Sequence, residues 1–258
     1  MITLKEYFFK KFEKELSYYG FAKYKDCMCK IQGDNILLKI HYEWGYGCVS
    51  VYFEMRHICD EGIMANSAYY DSRVCSIYDP MVGCGCVEEC DYVVEYYMKN
   101  IKEKIFPIFE RCYTIWDVLN ENKKIFEGYY ETLSFDDHIY RYLLLLGKYE
   151  EAIPVFEKRA RIDEKIILSY FSDVKRCHCN SSMFRCISED LPQKSKEYIN
   201  DWHILLCLKN KEYEWIHEVY LREIMEKNIK SLKRYKLLPE DYVFEYDYTK
   251  YLSKAEEN

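Results

Sequence analysis

Cysteine and histidine are the residues of this chain whose types and spacing come nearest to specific chemistry. There are 13 cysteines and 6 histidines in 258 residues. Two cysteine groups are tightly spaced: Cys84, Cys86 and Cys90, then Cys177, Cys179 and Cys186. Four thiolates or imidazoles can hold zinc tetrahedrally, usually from paired C-x-x-C knuckles. Neither group has that spacing, and they lie in different halves. They are read as incidental thiols of a cysteine-rich chain, with no metal and no cofactor expected. A cysteine nucleophile needs a nearby base and an orienting group. His57 and Cys59 are close in sequence but match no motif, and on a regular strand Glu54 and His57 would face opposite ways. Phosphate-binding loops, dinucleotide fingerprints and hydrolase or metalloprotease motifs are absent from the sequence. No catalytic residue is assigned.

A second kind of chemistry is contact. The turn Trp44-Gly45-Tyr46-Gly47 could present two aromatic rings, and exposed Trp and Tyr are common interface anchors. After Pro239 the chain reads EDYVFEYDYTKYL. Tyr242 and Tyr246 alternate there with the acidic Glu245 and Asp247. Trp44, Tyr46, Tyr242, Glu245, Tyr246 and Asp247 are therefore the candidate partner contacts. The competing readings fold the turn back onto the first helix and make the tail an edge strand or extended arm.

Composition narrows the partner. The formal net charge is −7 and the isoelectric point is near 5.5. That disfavours nucleic acid, whose phosphates need a basic surface, and is compatible with a basic protein. The 31% of charged residues argues against a membrane protein, and no run approaches the roughly 20 apolar residues of a spanning helix. The N-terminus, MITLKEYFFKKFEKEL, is charged throughout and reads as structure, not as a secretory signal. An odd number of cysteines without such a signal suggests free thiols in a reducing cytoplasm.

These residues need elements to position them. Val49, Val51 and Phe53 alternate with Ser50, Tyr52 and Glu54, and Ile36, Leu38 and Ile40 alternate less cleanly with Leu37, Lys39 and His41. Period two predicts strands. Gln32-Gly33-Asp34-Asn35 is turn-like and joins them to a strand over 24–31. A three-stranded meander over 22–57 follows, with a short fourth strand over 73–78. Leu4, Phe8, Phe12, Leu16 and Tyr19 form a helical stripe, with Thr3 and Glu6 as a capping box and Gly20 beyond the end. Residues 58–72 and 79–90 read as loops, 91–112 as a helix interrupted by Pro107, and 114–126 as a further helix.

Beyond Gly128 strand-like alternation disappears until the tail. The expected class is α+β, with an α+β domain over 1–128 and an all-α helical-hairpin domain over 129–258. Residues 137–160 predict one hairpin, turning at Gly147-Lys148. A weak echo 64 residues on places Tyr149 on Tyr213 and predicts a second hairpin over 200–234, although Gly147 falls on Lys211. Between them, 163–175 reads as a separate helix and 177–192 as irregular.

The segment Leu146-Gly147-Lys148-Tyr149-Glu150-Glu151-Ala152-Ile153 resembles the turn of a tetratricopeptide repeat. The order of elements over 3–57 loosely resembles small α+β domains of bacterial uncharacterised and toxin-immunity proteins. That second resemblance implies a cytoplasmic protein that binds and neutralises a toxin or otherwise acts through protein contacts. The first functional expectation is thus a non-enzymatic interaction protein, of immunity or adaptor type. The second is an enzyme with a site between the halves. The third is a metal-dependent regulator using the cysteines.

Overall fold

The structure is a computed structural model and describes residues 2–25, 27–45, 48–60, 82–129, 136–176 and 181–255. It is α+β, as expected. Its contacts divide into two compact units: Met1–Leu133 with Ile224–Glu245, and Ser134–Glu223 with Tyr246–Asn258.

The first unit begins with α1 (Leu4–Ser17), capped as its sequence predicts. The Thr3 hydroxyl accepts from the Glu6 backbone N–H, and the Glu6 carboxylate accepts from the Thr3 N–H at 2.9 Å. Among the described residues, five antiparallel strands follow in sequential order: β1 (Ala22–Tyr24), β2 (Cys27–Gln32), β3 (Ile36–Gly45), β4 (Cys48–His57) and β5 (Val82–Gly83). The register pairs Ile36 with Gln32 on one side and with His57 on the other. Phe8, Phe12 and Leu16 of α1 are buried, each worth roughly 2 kcal/mol of apolar transfer. Phe8 meets Trp44, and Phe12 meets Tyr42 edge-on at 5.5 Å.

The β2–β3 turn explains its glycine. Gly33 has φ +52°, and a Cβ there would lie 2.0 Å from the Tyr113 carbonyl oxygen. That oxygen accepts from the Asp34 N–H at 2.7 Å. Only glycine lets the backbones approach so closely.

Helices close the same sheet face. The helix expected over 91–112 is α2 (Val87–Asn100), a π-helical turn over Ile101–Ile105 and α3 (Phe106–Phe109). Val93, Tyr97, Ile101, Ile105 and Phe109 are buried, whereas Tyr92 faces solvent. The break therefore precedes Pro107 and widens the helix by one residue, which a strict 3.6 period cannot show. Residues 79–90 are not irregular throughout, because β5 and the first turn of α2 occupy their end. α4 (Ile115–Tyr129) buries Ile115, Val118 and Leu119 and leaves Trp116 half-buried. The strand expected over 73–78 and most of the loop over 58–72 lie outside the described residues, as does the side chain of Phe126.

A later segment completes this unit. Asn228 donates to the carbonyls of Ile58 at 2.7 Å and Asp60 at 2.9 Å, and Tyr235 packs edge-on against Tyr24. Tyr242 donates to the Asn35 side chain.

The second unit contains α5 (Asp136–Leu145), α6 (Tyr149–Arg176), α7 (Ser181–Asn210), the short α8 (Tyr213–Trp215), a π-helical turn over Ile216–Leu221 leading into α9 (Arg222–Arg234), and α10 (Thr249–Ala255). Of α9, Ile224 onward belongs to the first unit. The first hairpin turns at Gly147, φ +70°, where the Lys148 N–H reaches back to Leu143, a Schellman-type close.

Three expectations need correction. The helix over 163–175 is not separate but the end of a 28-residue α6. The stretch 177–192 is helical from Ser181, and Pro192 sits inside α7. Of the two readings of the tail, the edge strand fails, because 242–247 carry no ladder; they run as an arm on the protein, held at Tyr242 and Tyr246, and α10 follows.

Candidate functional site

The unexpected site is the other face of the sheet. Register brings Cys27 and Cys29 of β2, Lys39 and His41 of β3, and Glu54 and Arg56 of β4 to one side. Lys39 is 1% exposed, and His41, Glu54 and Arg56 are also buried. Glu54 is the hub. It meets Lys39 at 3.3 Å, His41 at 3.1 Å and the Arg56 guanidinium, while Arg56 also reaches Asp60 at 3.4 Å. The Cys27 and Cys29 sulfurs are 3.6 Å apart. Two cations face two carboxylates, so the charges balance.

Burial sets the protonation states. Burial, reinforced by Arg56, lowers Lys39 to about 8. Burial, with Lys39 and Arg56 nearby, lowers His41 to about 3. His41 is therefore neutral at pH 7, and its Nε2–H donates to Glu54. The hydrogen bond with the neighbouring Cys27 thiol, together with burial, pushes Cys29 up, so it stays protonated. Chemically, the set offers one amine of lowered basicity beside a carboxylate, a combination found at proton-transfer and carbonyl sites.

His57 faces away from this cluster, as the spacing from Glu54 implies. It is fully buried, and its Nδ1 accepts from the Cys59 N–H at 3.1 Å. Burial lowers it to about 3. That is a structural histidine closing the end of β4.

The second unit has its own aromatic seat. The π-helical turn presents His217, which is fully buried. One ring nitrogen meets the Tyr149 hydroxyl at 2.8 Å and the other the Tyr246 hydroxyl at 3.1 Å. Tyr248 stacks on it at 4.4 Å, and Tyr149 stacks on Tyr213 at 3.7 Å. Burial lowers His217 to about 4.

The sequence-predicted residues are placed as follows. Trp44 is half-buried and packs on Phe8; Tyr46 lies outside the described residues. Tyr242 is half-buried on Asn35, and Tyr246 is buried on His217. Glu245 and Asp247 are exposed, and Asp247 caps α10 through Thr249. Cys84 and Cys90 are buried and Cys86 is exposed at the start of α2. Cys177 and Cys179 lie outside the described residues, as does the side chain of Cys186. Among the described residues, no three His, Cys, Asp or Glu side chains gather as an ion would require.

A groove of about 610 Å³ runs along α1 and α2. Lys11, Lys99 and Lys102 face Glu15, Glu95 and Glu103 there, so it favours neither anion nor cation. Among the described residues no helix is long and apolar enough to cross a membrane.

Sequence reasoning missed the sheet-face cluster because its residues alternate as a wetted face would. One signal was present. The run ILLKI is apolar on both parities, which marks a strand covered on both sides.

No protein-family model, curated protein or solved structure matches this chain.

Proposed function

We propose that this chain works by binding another protein, without making or breaking a bond. One observation carries the reading. Ile199, Trp202 and Leu206 lie at i, i+3 and i+7 on α7, one helical stripe, and are 64%, 39% and 52% exposed. A helix normally turns such a stripe inward. A contiguous exposed one, centred on a tryptophan, has the composition of an interface core. The net charge of −7 favours a basic partner. An immunity or adaptor role and a cytoplasmic setting belong to the same proposal.

A photo-crosslinking residue placed at 202 in the producing cells, compared with one at the exposed Lys158, tests it. One discrete adduct from 202, absent from 158 and lost with Leu206→Glu, is expected. Equal labelling at both positions across growth conditions would sink the idea.

A second reading, an enzyme, has the Lys39–Glu54 pair in its favour. Borohydride trapping with a panel of small aldehydes tests it. A single reduced adduct on Lys39, lost in Glu54→Gln, supports it, and scattered surface adducts count against it.

A further inference from the structure

The tail of this chain is held by a prepared receptor in the second unit. Tyr246 gives its hydroxyl to His217 and lies under the Arg222 guanidinium at 5.2 Å. Tyr248 covers the face of the His217 ring. Leu252 sits so close over the α5–α6 turn that a Cβ on Gly147 would come within 2.5 Å of its methyl group.

The receptor has its own frame. The His217–Tyr149 hydrogen bond and the Tyr149–Tyr213 stack involve no tail residue. The Gly147 turn is closed by its own backbone bonds. Beside it a hollow of about 200 Å³ is lined by Gly147, Lys148, Tyr149, Glu150, Glu151 and Tyr213.

The leash differs in kind. Residues 236–245 contain neither helix nor strand. A stretch of ten residues, fully extended, reaches about 33 Å. Tyr242 ties it to Asn35 through a side-chain hydrogen bond, a contact worth about 1 kcal/mol; nearer its start, Leu238 is buried and the Lys233 ammonium donates to the Glu240 carbonyl at 2.8 Å. A short docked helix on such a leash is the element that chains exchange at low cost, because the same contacts form within one molecule or between two.

We propose that the aromatic seat around His217 binds the Tyr246–Leu252 segment of a second copy of this chain, so that two molecules pair by exchanging tails. The seat selects for tyrosine. Its buried ring nitrogen needs a hydroxyl at Tyr246, its ring face takes a second aromatic two residues on, and the glycine turn leaves room for one aliphatic side chain. Within one molecule the tail competes at an effective concentration on the millimolar scale. The unaltered chain is therefore monomeric when dilute. These residues are distinct from the α7 stripe, so this proposal and the interaction reading stand or fall separately.

Two full-length variants test it. Tyr246→Ala/Leu252→Ala has a sound seat and a spoiled tail, and His217→Phe has a sound tail and a spoiled seat. Each alone lacks a matched pair and should remain at 31.5 kDa in light scattering. Mixed, they should form a species of twice that mass, joined by one matched pair. Circular dichroism checks that both fold. A labelled peptide spanning 242–255 supplies a second measurement. It should bind Tyr246→Ala/Leu252→Ala at least 10-fold tighter than the unaltered chain, whose own tail blocks the seat. Failure of the peptide to bind the spoiled-tail variant overturns the proposal, even if His217→Phe does not fold. So does equal binding to both chains, or a mixture of two folded variants that stays monomeric.

Discussion

His41 and His57 make the first unit sensitive to acid in a pH range where carboxylates are still ionised. Both are buried and neutral, and burial lowers both from 6.5 to about 3. A base whose folded pKa is lowered binds its proton more readily when unfolded. Its contribution is fully present above pH 6.5 and is lost as the pH falls towards 3. Each pH unit in that interval is worth about 1.4 kcal/mol per histidine. Lowering the pH from 6.5 to 5 should therefore cost roughly 2 kcal/mol for each, about 4 kcal/mol together, a large part of the 5–15 kcal/mol typical of a domain. The assay is urea unfolding of the full chain, followed by circular dichroism and tryptophan fluorescence at half-unit pH steps. His41→Gln and His57→Gln, singly and combined, provide the controls, since glutamine hydrogen-bonds without titrating. The difference in stability between the unaltered chain and the double variant should shrink steadily as the pH falls. A difference that stays flat between pH 6.5 and 5 would show that these histidines are charged or exposed, and the account of the buried face would be wrong.

Two further changes probe the packing. Gly33→Ala combines φ +52° with a Cβ driven into the Tyr113 carbonyl. It should cost at least about 2 kcal/mol, read as a lower urea midpoint; a change under 0.5 kcal/mol would mean that the turn relaxes freely. Asn228→Ala removes donors from two carbonyls and should cost about 2 kcal/mol, with faster hydrogen exchange of the amides around Ile58. Unchanged exchange there would argue against the tie.

The legible parts of the fold were those fixed by neighbours in sequence. Thr3 and Glu6 announce the start of α1, and Gln32-Gly33-Asp34-Asn35 announces a turn whose register then follows. The illegible parts are decided by distant partners. The alternating tyrosines of the tail imitate a strand, but Tyr246 finds His217 and Asp247 caps Thr249, so the segment docks and then coils into a helix. Tertiary burial overrides period two there. Lys39 and Glu54 are polar residues in strands and read as solvated, yet the face they share is covered. The echo between the two hairpins fades at Lys211, where glycine is expected. The backbone keeps the turn regardless: Lys211 has φ +61°, and the Glu212 N–H reaches back to Cys207 as Lys148 does to Leu143. A lysine tolerates the left-handed conformation at a cost of about 1 kcal/mol, so the shape persists where the letters diverge.

The Asn228 amide bears on how the protein is made. It lies 170 residues beyond Ile58, whose carbonyl it serves. A ribosome adding 5–20 residues each second needs roughly 10–35 s to cover that distance. For that interval the nascent sheet waits without its last clasp, while the helices of the other unit emerge behind it. Chaperone dependence of the newborn chain should therefore end only once α9 has cleared the exit tunnel.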